Sequence, residues 1–304
     1  MAGKLLSIGE CMVELSQAGE GLLRKGFAGD TFNTAWYARA CFPADWQIDY
    51  FTAVGDDPMS SDMLSMMNAA GIGTSLVIRI PGKTPGLYLI TLKDGERTFS
   101  YWRDTAAAKK LADDADHLRA AIESADIVYF SGITLGILAP EAVDTLLSEA
   151  RRAKAMGKMV VFDPNIRPRL WPSKEYMLKT IEDGARASSL ALPSFDDEKV
   201  HFGDKDEQAT VARYKALGVE NVVVKNGPDG VTLAFGSEPV IHVPAVKVDK
   251  VIDTTSAGDS FNGGFLARLV EGGTPAEAAA HGAAVAARVI CHHGALISPD
   301  LLPK

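Results

Sequence analysis

The residue best placed to do chemistry is Asp259, in the stretch VIDTTSAGDSFNGGFL at residues 251–266. The stretch reads as the end of a β segment, a turn of small polar residues, and a helix whose apolar face is Phe261, Phe265, Leu266 and Leu269. Thr254, Thr255 and Ser256 are candidate cap and turn residues, and Ala257 and Gly258 let the backbone come close to a ligand. Free N–H groups and the positive end of the helix dipole make such a terminus an anion site. The N–H groups of Ser256, Ala257 and Gly258 are therefore the expected anion hole. A carboxylate in that first turn can take a proton from a hydroxyl attacking a phosphoryl group. The plain alternative is that Asp259 only steadies the start of its helix.

Other residues have types that suit a polar, anionic small molecule. Arg103 closes the run Tyr101-Trp102-Arg103 and presents a planar fork that matches a carboxylate. Tyr88 and Tyr101 could add hydroxyls from neighbouring strands. Arg167 lies in DPNIRPRLW, residues 163–171, just after an apolar run, and open parallel sheets bind ligands at strand carboxyl ends. For both arginines the alternative is a solvated surface charge. Near the N-terminus, GFAGD at 26–30 leads into TFNTAWYARAC, so Gly29 and Asp30 open a helix with Asn33 one turn further in. That trio can hold sugar hydroxyls, or be no more than a glycine turn with a capping Asp. Lys225 precedes NGPDG, a tight turn by composition.

The elements that must position these residues follow a βα alternation. Apolar runs at 4–9, 48–55, 126–131, 158–163, 189–194 and Asn221–Lys225 read as core strands. Helices are expected at 31–41, after Pro58, at 140–156 and at 274–293. Residues 11–16 read as a second strand on an edge, and 75–80, 86–92 and 97–102 as short strands, with a turn at 93–96. The expected architecture is a doubly wound α/β fold, with a mainly parallel central sheet and helices on both faces. A small β-sheet lid from about 10–17 and 75–104 is set into this one domain.

Composition narrows the partners. The net charge of −8 argues against nucleic acid and against an anionic membrane surface. No apolar run has membrane-spanning length, and Glu10 soon interrupts the N-terminal one, so neither a span nor a signal peptide is expected. Three widely spaced cysteines, Cys11, Cys41 and Cys291, fit a reduced cytoplasmic setting. No G-x-G-x-x-G follows the first strand and no G-x-x-x-x-G-K-[ST] is present, which argues against the dinucleotide and P-loop types.

DTTSAGDSFNGGF resembles the C-terminal signature D-T-x-G-A-G-D-x-F of the ribokinase-like (PfkB) carbohydrate kinases. Asp253, Thr254, Ala257, Gly258, Asp259 and Phe261 match it, and Ser256 stands where glycine is usual. GDTFN at 29–33, D-x-N-x-R at 163–167 and K-x-G-x-x-G at 225–230 resemble further motifs of the same family. YWRDTAAAK at 101–109 resembles the branch that phosphorylates 2-keto-3-deoxygluconate.

The resemblance implies an ATP-dependent, Mg²⁺-assisted kinase for that sugar acid, with Asp259 as base. K⁺ is a further cation it admits. It implies substrate contacts from Gly29, Asp30, Asn33, Tyr88, Tyr101, Arg103 and Arg167. Nucleotide contacts would come from Asn165, Arg167, Lys225, Gly227, Gly230, Ser256 and Gly258. No direct metal ligand is assigned. Asp253 is an indirect candidate, and so is Asp197, because Ser194 and Asp197 stand where the family has N-x-x-E. An exposed apolar lid face would favour a homo-oligomer, a dimer or larger. Two alternatives stay open: a sister kinase for a neutral sugar such as fructose or ribose, and a sugar-acid sensor without catalysis.

Overall fold

The computed structural model describes residues 2–93 and 96–303. Its central sheet has eight strands in the order β14-β13-β12-β11-β10-β9-β1-β4. These are β1 (Lys4–Ile8), β4 (Gln47–Phe51), β9 (Ile127–Ser131), β10 (Met159–Asp163), β11 (Leu190–Ala191), β12 (Asn221–Lys225), β13 (Val231–Phe235) and β14 (Ile241–Val243). Pairing is parallel from β4 to β12 and antiparallel for the last two pairs. From β1 the chain moves one way to β4, then returns to β9 on the other side and continues outward. The order therefore reverses between β1 and β9, and a crevice opens beyond their carboxyl ends.

The strands are apolar on both faces because both faces are covered. Leu6, Ile8, Val128, Phe130, Val160 and Phe162 face one core. Leu5, Ile127, Tyr129 and Val161, one residue out of step, face the other. Over the first lie α3 (Ala115–Glu123), α4 (Gly132–Ile137), α5 (Pro140–Ala155), α6 (Lys174–Ala187), α7 (Phe195–His201) and α8 (Glu207–Ala216). Over the second lie α1 (Asp30–Cys41), α2 (Pro58–Ala69), α9 (Ala257–Val270) and α10 (Pro275–Val289). α9 is sandwiched between α1 and α10. A Cβ on Gly263 would sit 2.8 Å from the Ala38 nitrogen, and one on Gly264 would sit 2.8 Å from Val285 Cγ2. Two adjacent glycines let both neighbours close in and fix the start of α9 relative to α1. No helix among the described residues is long and apolar enough to cross a membrane.

A separate four-stranded sheet has the order β3-β2-β7-β8, from β2 (Met12–Gly19), β3 (Leu22–Ala28), β7 (Leu87–Lys93) and β8 (Glu96–Trp102). Several expectations change here. The strand expected on an edge at 11–16 is interior, paired with β3 on one side and β7 on the other. β3 runs into the first three residues of the GFAGD motif, a strand with no counterpart among the expected elements. The strand expected at 75–80 is reduced to β6 (Ile78–Arg79), which pairs with β5 (Ala53–Val54) in a small sheet of its own. Asp94 and Gly95, half of the expected turn, lie outside the described residues. No strand precedes α9, since residues 251–254 have no regular structure.

Candidate active site

The crevice between β1 and β9 gathers side chains from four elements. α1 begins there because Gly29 allows its N-terminus to close on the β1–β2 connection: a Cβ at Gly29 would lie 2.1 Å from the Glu10 carbonyl oxygen. This places Asp30 and Asn33 at the carboxyl end of the sheet. Asn33 Nδ2 donates to Asp259 Oδ2 at 2.8 Å, joining the first turns of α1 and α9. Asn165, after β10, donates from Nδ2 to Asp30 Oδ2 at 3.0 Å. Asp163, at the end of β10, accepts from Lys225 Nζ at 2.8 Å and from Asn262 Nδ2 at 2.6 Å. Lys225 also donates to Asn262 Oδ1 at 3.1 Å.

Asp259 is thus held by a network of amides and one ammonium, and its electrostatics follow. Burial is the main cause that pushes its carboxyl up to about 7, assisted by the Asp30 and Asp163 carboxylates and opposed by Asn33 and Lys225. Burial likewise raises Asp30, with hydrogen bonds from Ser131 and Asn165 opposing. A carboxyl poised near neutrality suits a general base.

The turn ahead of Asp259 carries strain. Ser256 caps α9 in the left-handed region with φ 65°, and its hydroxyl makes no capping bond. This explains why a glycine is usual there. Asp253 holds the turn from below, accepting from the Thr255 nitrogen at 3.0 Å and from the Gly294 nitrogen at 2.7 Å. Gly258 faces open space: a Cβ there would meet only Lys225 Nζ, at 3.5 Å. Lys225 and the start of α9 therefore border one space. Gly227, at φ 48°, has nothing within 4 Å of a Cβ position, whereas Gly230 is packed against Val243. Gly230, at φ 98°, therefore shapes the turn and has no room for a side chain.

The expected substrate residues are partly engaged with one another. Tyr88 donates its hydroxyl to Glu14. Arg103 pairs through Nη2 with Glu10, and its guanidinium lies 5.9 Å from the Tyr101 ring centroid. Arg167 is half exposed, donating to the Ile166 carbonyl at 2.8 Å and standing 3.8 Å from Asp197. Partners that escaped the sequence reading include Glu10, Glu14, Asn262 and Tyr129, whose hydroxyl accepts from Asn262 Nδ2 at 3.0 Å. Asn262 carried a signal, because it lies about one helical turn after Asp259 among the apolar residues Phe261, Phe265 and Leu266.

The sequence profile of the pfkB family of carbohydrate kinases matches residues 2–301. The chain belongs to that family. Among pfkB relatives, the 2-dehydro-3-deoxygluconokinase of Escherichia coli (strain K12) is 42% identical over 309 residues, covering 100% of both chains. That of Dickeya dadantii (strain 3937) is 41% identical over 97% of each. Among solved structures, the PfkB protein of Polaromonas sp. JS666 superposes with a TM-score of 0.83 at 27% identity, covering 95% of this chain and 96% of that one. The doubly wound expectation is met.

Proposed function

We propose that the protein transfers the terminal phosphoryl group of ATP to 2-keto-3-deoxygluconate, giving 2-keto-3-deoxy-6-phosphogluconate. The observation that carries the reading is Asp259, a part-buried carboxyl in the first turn of α9 that accepts from Asn33 Nδ2 and that desolvation pushes up to about 7. The whole-chain likeness to kinases of that name supports the choice of acid.

In this reading Asp259 receives the proton of the acceptor hydroxyl, whose oxygen forms the new bond to phosphorus while the bond to ADP breaks. The N–H groups of Ser256, Ala257 and Gly258 stabilise the charge on the moving group. Asp30, Asn33 and Gly29 hold the sugar's hydroxyl end, and Tyr88, Tyr101, Arg103 and Arg167 its acid end. Asn165, Arg167, Lys225 and Gly227 border the nucleotide phosphates. Gly258 leaves room for a ligand to approach the start of α9 beside the Lys225 ammonium. Asp197 and Asp253 would act indirectly on a Mg²⁺ ion bound with ATP, which would supply neutralisation of phosphate charge; K⁺ is an activator to be tested.

A homo-oligomer joined through the four-stranded lid, in a cytoplasmic setting, belongs to the same proposal. Replacing Arg103 by Ala is expected to raise KM for the sugar acid by on the order of ten- to a hundred-fold, the worth of one charged hydrogen bond. Initial rates against acid concentration test this. An unchanged KM would turn the reading toward a neutral sugar.

A further inference from the structure

Glu10 has no part in the reaction as described, yet it is the most tightly enclosed acid near the substrate arginine. It follows β1 at the sheet's switch point and is 2% exposed. One oxygen, Oε2, accepts from Arg103. The other, Oε1, is buried and has no hydrogen-bond partner among the described residues. A Cβ on Gly86, just ahead of β7, would lie 2.5 Å from Oε1, so backbone closes that side. Arg103 lines an open cavity of about 460 Å³ together with Tyr101, Trp102 and Thr105; Glu10 does not. The same cavity takes in Asp57 and Asp104, and of the Glu10–Arg103 pair only the arginine borders open space.

The groups facing Glu10 are Arg103 after β8, Lys109 in the turn Ala107–Lys110, and Asp30 on α1; Cys11 adjoins it, with Glu14 beyond on β2. Arg103 is already paired with one buried acid, and Asp30 adds a second negative charge against the Lys109 ammonium, which leaves little compensation for a third carboxylate. An ionised carboxylate with a single donor is also poorly satisfied, whereas a neutral carboxyl needs fewer partners. Burial already raises Glu10 above the usual carboxylate range against the pull of Arg103. Like charges crowded into one site do not all stay ionised.

We propose that Glu10 is a positioning residue that holds Arg103 in the empty site and takes up a proton when the carboxylate of the sugar acid joins the same guanidinium. The inference rests on the substrate reading above. It makes binding of the acid proton-linked, and binding of a neutral sugar not.

Calorimetric titration of the whole protein with 2-keto-3-deoxygluconate, in buffers of different ionisation enthalpy, reads the linkage directly. The wild type is expected to absorb up to about one proton per acid bound near neutrality, and Glu10→Gln distinctly less. Near about pH 8, Glu10→Gln is expected to bind the acid roughly ten-fold more tightly than wild type, a gain that fades as pH falls. A merely structural glutamate would instead bind more weakly once replaced. Fructose, as the neutral control, should show no difference in proton uptake. Absence of uptake by the wild type between about pH 5 and 8, a measurement that needs no variant, would overturn the inference and leave the substrate reading standing. Equal uptake by Glu10→Gln would move the proton to another group such as Asp30 and also overturn it. If neither form bound the acid, both readings would fall.

Discussion

At the scale of single residues, Asp259 and Ser256 show opposite relations between burial and chemistry. Asp259 must lose its proton to act as base, so kcat/KM should rise with pH through about 7. Replacement by Asn should lower kcat by about a thousand-fold. The same shift predicts a stability effect of definite sign. A carboxyl raised in the folded state favours the fold when protonated. The penalty for burying its charge is absent below the ordinary carboxylate value, grows as pH rises, and is full above about 7. Asp259→Asn should therefore melt higher than wild type, by a margin that widens from acid pH to neutrality and then levels off. A calorimetric melting series across pH checks it.

Ser256 sits at φ 65°, where a Cβ is strained by about 1–2 kcal/mol. Ser256→Gly removes that strain and adds back about 0.4–1 kcal/mol of unfolded-chain freedom. A small net stabilisation, read from urea unfolding, is expected. The candidacy of Asp259 and the unusual position of Ser256 were legible in the sequence because both belong to one contiguous stretch. Glu10 was not legible: a lone glutamate in an apolar run has no local pattern, and its meaning comes from Arg103, 93 residues away.

At the scale of elements, the sequence shows core strands well and lid strands poorly. β10 and β12 are short apolar runs buried on both faces, and their periodicity leaves little room for error. β3 is largely exposed, with Leu22, Leu23, Arg24 and Lys25 all outward, so the alternation that marks a half-buried strand is missing. Residues 75–80 are rich in β formers but have only Ala53–Val54 to pair with. Cross-strand register puts Val13, Leu15, Leu23, Leu87, Leu89 and Trp102 on one face of the lid. Leu23 is 52% and Trp102 59% exposed, while the opposite face packs Tyr88 and Ile90 with Ala28 and Ala295. An apolar face of this kind favours a second copy as its cover. Light scattering is expected to give a dimer or larger, and Leu23→Asp to weaken it; a wild-type monomer at micromolar concentration would end that proposal.

At the scale of the whole molecule, the fold is legible because every parallel strand must be apolar on both faces and every helix on one. Those constraints reach the sequence as period and length. The candidate site is legible only in outline. Asp30, Asn33, Asn165, Lys225 and Asp259 could each be proposed from local motifs. The bonds joining them cross from α1 to α9 and from β10 to β12, and no local pattern encodes them. The site gathers more carboxylates than cations, so an acceptor that brings its own carboxylate must find its compensation at Arg103. The most direct test is ADP release at saturating Mg-ATP, with 2-keto-3-deoxygluconate compared with fructose and ribose. The account predicts a kcat/KM for the acid at least about a hundred-fold above either neutral sugar, the scale of an unpaired charged partner. Equal or faster turnover of a neutral sugar would contradict it.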